Sequence, residues 1–165
     1  MIGWIILAAA LLFILALVVR TVQFKPHEQE AVKIEEVAVN EEKIVNDMVA
    51  MIQCKTVSHM DESLTDWKEF EKFQALLAER FPLVHEKATL EKIGKTGLLY
   101  CIKGKSSEKP SVCMSHYDVV PIEEEGWVKP AFEGVVEDGV IWGRGTLDTK
   151  GTLLGVMEAA EQLLA

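Results

Sequence analysis

Between Val135 and Leu164 the chain reads VVEDGVIWGRGTLDTKGTLLGVMEAAEQLL, and this stretch decides the fold class. Asp138-Gly139 between two apolar runs predicts a tight antiparallel hairpin, because the central residues of such a turn need positive φ. After Gly143–Thr149 the period changes, and Leu153, Leu154, Met157, Ala160 and Leu164 recur on one face of a helix. Towards the N-terminus, Ser111–Ser115 (SVCMS) reads as a buried strand that ends at His116, after a polar loop over Gly104–Pro110. Leu98–Lys103 is a short strand behind the turn Gly94-Lys95-Thr96-Gly97, and residues 83–93 are β-compatible. Two amphipathic helices precede them. Asn40 is placed to cap the first, whose apolar positions are Ile44, Val45, Met48, Met51 and Ile52. The second runs from about Thr65 to Arg80, buries Phe70, Phe73, Leu77 and Phe81, and is stopped by Pro82. Helices, then strands with helices returning, predict an α/β domain with a mixed sheet flanked by helices. The last helix meets no Gly, Pro or cap before Ala165, so the pattern is that of a cut chain.

Composition divides the 165 residues further. Residues 1–19 hold 18 apolar residues, one Gly and no charged side chain. As a helix they rise about 28 Å, close to the hydrocarbon thickness of a bilayer. A cleaved signal peptide would carry a basic start and a small-residue site at its end, and a core helix would show a polar face. Residues 1–20 are therefore expected to be a single-pass transmembrane anchor and residues 21–39, with Pro26 and four glutamates, a juxtamembrane linker. Residues 40–165 would form the catalytic portion. Arg20 and Lys25 after the span lean towards a cytoplasmic C-terminal side. The net charge is −9, and with Arg20 set apart residues 21–165 carry −10, which argues against a nucleic-acid partner. Three widely spaced cysteines, Cys54, Cys101 and Cys113, do not make a disulfide framework.

The chemistry concentrates between Ser111 and Gly151. His116-Tyr117-Asp118 stands where a strand would emerge into a loop, the usual place for an active site in an open α/β sheet. A neutral imidazole binds divalent transition metals, and a carboxylate two residues on can fix its tautomer. His-x-Asp alone also occurs as a hydrogen-bonded surface histidine. Asp148, just before a helix, can bridge two cations or simply cap that helix. Gly143-Arg144-Gly145 lacks the third glycine of a dinucleotide fingerprint, and Lys150-Gly151-Thr152 reverses the order of a phosphate loop. Ser115 adjoins His116 and would point to the opposite face of a strand, as would Cys113, which reads as a small buried hydrophobe. Trp127 and Trp142 are expected in the core or a pocket wall, and Glu123-Glu124-Glu125 in a solvated loop.

Three strings taken together resemble one family: His116-Tyr117-Asp118-Val119-Val120-Pro121, Trp127–Gly134, and Asp138-Gly139-Val140-Ile141-Trp142-Gly143-Arg144-Gly145-Thr146-Leu147-Asp148-Thr149-Lys150-Gly151. They are similar to the first half of a zinc aminoacylase/carboxypeptidase metallopeptidase, and with the anchor most similar to the carboxypeptidase S and N-fatty-acyl-amino-acid hydrolase branch. The resemblance covers about residues 40–165. It implies a two-zinc-activated water that hydrolyses a peptide or N-acyl-amino-acid amide, with cobalt or manganese as substitute metals. His116 would ligate one zinc, Asp148 would bridge both, and Asp118 would be the catalytic-site carboxylate that orients His116. The family's general-base Glu, in a Glu-Glu pair, and its remaining ligands would lie beyond Ala165, as would a lid domain through which the full-length parent can form a homodimer. The 165 residues alone are therefore expected to be inactive. Ala131 stands where Pro is common and Thr149 where Asp or Met is common, and the peptide after Asp148 is often cis in the family. The branch is often lumenal or extracellular, against the lean of the charges, so the side of the membrane stays open. The rival readings are a non-catalytic, membrane-tethered interaction protein that keeps half of the fold, and an unrelated hydrolase using Cys113.

Overall fold

A computed structural model describes residues 2–25, 37–106 and 108–165. The chain divides into two compact units, Met1–Ala38 and Val39–Ala165. In the first, helix α1 (Ile2–Gln23) runs for 22 residues with none of them buried. At about 33 Å it is long enough, and with a mean hydropathy of 3.0 apolar enough, to cross a membrane. It reaches into the expected linker by three residues, since nothing at Thr21–Gln23 breaks a helix; residues 26–36 of that linker lie outside the described residues.

The second unit begins as the periodicity predicts. Asn40 Oδ1 accepts the Lys43 N–H at 3.1 Å and caps α2 (Glu41–Gln53), which buries Met48, Met51 and Ile52. Asp66 caps α3 (Trp67–Arg80), whose stripe of Phe70, Phe73 and Leu77 packs on α2. Asp47, wholly buried on α2, is paired with Lys43 at 2.8 Å and Arg80 at 3.3 Å, and Lys43 reaches on to Glu158 at 2.5 Å. The last helix, α5 (Gly151–Leu164), closes the core with Leu154 and Met157.

Pro82 does more than stop a helix. It occupies the first turn of a new one, α4 (Pro82–Lys87), where its missing N–H costs nothing. Phe81 offers that helix no cap, and Glu161 of α5 supplies it, accepting the Leu83 and Val84 N–H groups at 2.9 Å each. The β-compatible stretch 83–93 is thus strand only over β1 (Thr89–Ile93). A cap from 77 or 78 residues away leaves no local signal.

β1 pairs antiparallel with β2 (Gly97–Cys101), and β3 (Val135–Glu137) with β4 (Val140–Trp142). Asp138 and Gly139 take φ of 51° and 75°, as the Asp-Gly hairpin requires. The expected mixed sheet is not assembled among the described residues: the strands form two separate two-stranded sheets. Ser111–Ser115 is not a strand, because no described backbone pairs with it. Val112 and Met114 are exposed, and so is Cys113, against the expectation of a buried hydrophobe. The one parallel contact in this region is the bridge between Val57 and Val119, with Ser58 N–H to Val119 O and Val119 N–H to Thr56 O both at 2.9 Å.

The loop between β4 and α5 is held from below. The Lys150 ammonium is fully buried and donates to the carbonyls of Met51 and Cys54, each at 2.8 Å, where α2 ends. Its third direction faces the Phe73 ring, 5.2 Å from the centroid. Gly143 and Gly145 let the loop approach closely: a Cβ at either would come within 2.6 Å of Ile52 or Val119, and Gly145 also has φ of 86°.

Burial lowers the Lys150 pKa from 10.5 to about 8. A depressed lysine pKa means that the unfolded chain binds the proton more tightly, so stability rises with pH above about 8. The stability of the wild type relative to Lys150→Met should therefore increase by about 1 kcal/mol from pH 8 to pH 9. Urea titrations at the two pH values check it; a flat difference contradicts the buried ammonium.

Candidate functional site

His116, Asp118 and Asp148 come together although 30 residues separate the last two. The Val57–Val119 bridge anchors the chain just after Asp118, and the Lys150 clamp anchors it just after Asp148. His116 Nε2 lies 2.9 Å from Asp148 Oδ1. On the other edge of the ring, Nδ1 lies 3.0 Å from the Asp118 carbonyl oxygen and 3.1 Å from its Oδ1. Asp118 is held in turn: its Oδ2 accepts the Ser58 hydroxyl at 2.7 Å. A continuous chain of contacts thus runs Ser58, Asp118, His116, Asp148.

Asp148 does not cap α5, which has no side-chain cap at its N-terminus. Its φ of −125° and ψ of 88° interrupt the helical turn Thr146–Lys150, the Asp148–Thr149 peptide is cis, and the side chain is 85% exposed. A carboxylate so open, facing an imidazole nitrogen, is available to a ligand.

Partial burial works against a charge on His116. The hydrogen bond to Asp148, the contact with the Asp118 carbonyl and the two carboxylate charges outweigh it, and the imidazole pKa rises above the ordinary 6.5.

Sequence reasoning missed the partners that position the triad. Ser58 is 60 residues from Asp118 with no motif to mark it. Thr149 and Ser115 bond each other at 2.7 Å beside His116, so the Ser115 hydroxyl is turned to Thr149. Trp127 lines a cavity of about 470 Å³ with Lys55, Lys129 and Phe132, and the Arg144 guanidinium lies 5.0 Å from its ring centroid. Trp142 is exposed rather than in the core. Glu123–Glu125 is exposed, as expected of a solvated loop.

The donor chemistry can be tested against a metal. One imidazole nitrogen and one carboxylate converge, a pair suited to zinc, and the other imidazole nitrogen has the carboxylate partner that zinc-binding histidines use. The fit is partial. Zinc takes about four donors, and among the described residues no group of three or more His, Cys, Asp or Glu is arranged to hold a metal ion.

Part of the chain is similar to a known family. Residues 112–165, which contain all three side chains, match the model described as peptidase family M20/M25/M40. This segment carries an M20-type peptidase signature. The chain is also 41% identical over 99 residues to probable carboxypeptidase S-like 2 of Dictyostelium discoideum, covering 59% of this chain and 19% of that protein. To N-fatty-acyl-amino acid synthase/hydrolase PM20D1 of Homo sapiens it is 38% identical over 118 residues, 68% of this chain and 23% of the relative. Carboxypeptidase S of Saccharomyces cerevisiae is 38% identical over 104 residues, 59% and 18%. The chain spans about a fifth of the length of the curated relatives it matches. The matched segment runs from Val112, within the stretch 111–115, through the β3–β4 hairpin and α5.

The pairing of His116 with Asp148 is open to titration. The His116 imidazole should titrate above the ordinary histidine range, and Asp148→Asn should bring it down. Histidine NMR against pH checks this; an unchanged midpoint in Asp148→Asn contradicts the contact.

Proposed function

We propose that this chain contributes part of a metal-dependent amide hydrolase acting on peptide C-termini or N-acyl amino acids. The observation that carries the proposal is the His116–Asp148 contact, flanked by Asp118, inside the segment that matches the M20/M25/M40 family. The names of the relatives, carboxypeptidases and an N-fatty-acyl-amino acid synthase/hydrolase, support an amide as the bond cleaved.

His116 would hold zinc through Nε2, with Asp118 fixing the tautomer through Nδ1 and Ser58 fixing Asp118. Asp148 would hold it through its exposed carboxylate, and its two oxygens suit it to bridge a pair of ions. Zinc bound there supplies a Lewis acid and lowers the pKa of bound water. Asp118 is a positioning carboxylate in this scheme, since it faces the ring of His116 and its own oxygens are engaged by His116 and Ser58. The proposed enzyme takes a small-molecule or peptide substrate, and α1 would hold it to a membrane as an N-terminal anchor. A homodimer and a complete mixed sheet belong to the same proposal for a longer chain.

Two donors cannot complete a zinc site, so the 165 residues alone should show no chelator-sensitive amidase activity. In a longer chain that completes the donor set, His116→Ala and Asp148→Ala should each lose metal and activity together. Asp118→Ala should cost roughly 10- to 100-fold. Metal content and amide hydrolysis measured on the same preparations check this. Chelator-sensitive turnover by the short chain, or a near-normal rate in either ligand variant, contradicts it.

A further inference from the structure

Thr149 is adjacent to one candidate ligand and bonded to the backbone of the other. Its Oγ1 accepts the His116 N–H at 3.0 Å and donates to the His116 carbonyl at 2.8 Å. The Ser115 hydroxyl lies 2.7 Å from the same oxygen and 2.9 Å from the Thr149 carbonyl, with one proton to give to one or the other. A hydroxyl has one proton to give and two lone pairs to receive. With its proton on the His116 carbonyl, Thr149 Oγ1 accepts the His116 N–H and has its second lone pair open to the Ser115 proton.

One side chain thereby engages both the N–H and the C=O of His116, as an opposite residue in an antiparallel ladder would. That substitution matters here, because Ser111–Ser115 has no ladder partner among the described residues, and its Val112 and Met114 side chains are exposed. Downstream of His116 the segment is held at Tyr117, whose carbonyl accepts the Thr56 hydroxyl, at Asp118 by Ser58, and at Val119. The Thr149 clasp fixes it at His116 itself, against the residue that follows Asp148.

We infer that Thr149, with Ser115, is a positioning residue that sets the separation of His116 and Asp148 through hydroxyl bonds to the His116 peptide. The inference rests on the proposed function for what the two side chains hold, and not for the clasp itself. Neither hydroxyl belongs to the buried core, where Phe73 and Phe81 are fully enclosed, so the fold has a separate reporter.

The test uses the full chain with nitrogen-15-labelled histidine and follows three signals: exchange of the His116 amide, the His116 Nε2 resonance, and the response of that resonance to added zinc chloride. Thr149→Val keeps the shape and removes the hydroxyl, and should speed His116 amide exchange about tenfold while shifting Nε2 away from its Asp148-bonded position. It should also weaken the zinc response by roughly 10-fold. Thr149→Ser restores the hydroxyl and should return all three signals close to the wild type. The Phe73 and Phe81 ring signals should not move in either variant. Ser115→Ala removes one donor without touching the Asp148–Thr149 backbone, should raise the same exchange by a smaller factor, and decides the matter if Thr149→Val does not fold. Wild-type exchange and Nε2 position in folded Thr149→Val, or in Ser115→Ala in its place, overturn the clasp, as does Thr149→Ser being as defective as Thr149→Val. A wild-type chain whose His116 resonance ignores zinc overturns the metal proposal instead, and the exchange data still decide the clasp.

Discussion

A buried ammonium holds the functional end of this molecule in place. Lys150 donates to the carbonyls of Met51 and Cys54 at the C-terminal end of α2. Burying a lysine without acceptors would cost several kcal/mol, so the contact forms only if the loop before α5 sits directly beneath α2. That requirement draws Gly143 against Ile52 and Gly145 against Val119, and both positions exclude a side chain. The glycine-rich run before Asp148 is therefore a packing device. Asp148 emerges on the far side of this clamp, exposed, while the residue two places on is wholly buried.

Local signals and distant ones were not equally legible. Asn40, Asp-Gly at 138–139 and the apolar stripes of α2, α3 and α5 each act within a few residues, and the elements they predict are present. Where a partner from far along the chain decides the outcome, the pattern misleads. SVCMS has the composition of a strand, but a strand exists only beside another, and none of the described residues pairs with it. Residues 83–87 turn helical because Glu161 caps them. The mixed sheet expected from the order of elements is likewise replaced by two local hairpins, the pairings that need only short loops.

The site shows the same division. His116, Asp118 and Asp148 were singled out by residue type and by their place in three quoted strings, and the fold brings both carboxylates within hydrogen-bond distance of His116. The positioning roles of Ser58, Ser115 and Thr149 escaped notice because a hydroxyl that holds a neighbour leaves no periodicity and no charge. They carry much of the geometry nonetheless: Ser58 holds Asp118, Thr149 holds the peptide of His116, and Ser115 holds Thr149. A metal-binding proposal that stopped at the ligands would leave out the groups that keep them apart by the right amount.

The central claim is that His116 and Asp148 are ligands to one metal ion. Diffraction from zinc-soaked crystals, recorded on both sides of the zinc absorption edge, tests it most directly. The account predicts an anomalous peak about 2 Å from both His116 Nε2 and an Asp148 carboxylate oxygen, with Asp118 still on Nδ1. A zinc peak elsewhere, with the 2.9 Å contact between His116 and Asp148 left intact, would contradict it.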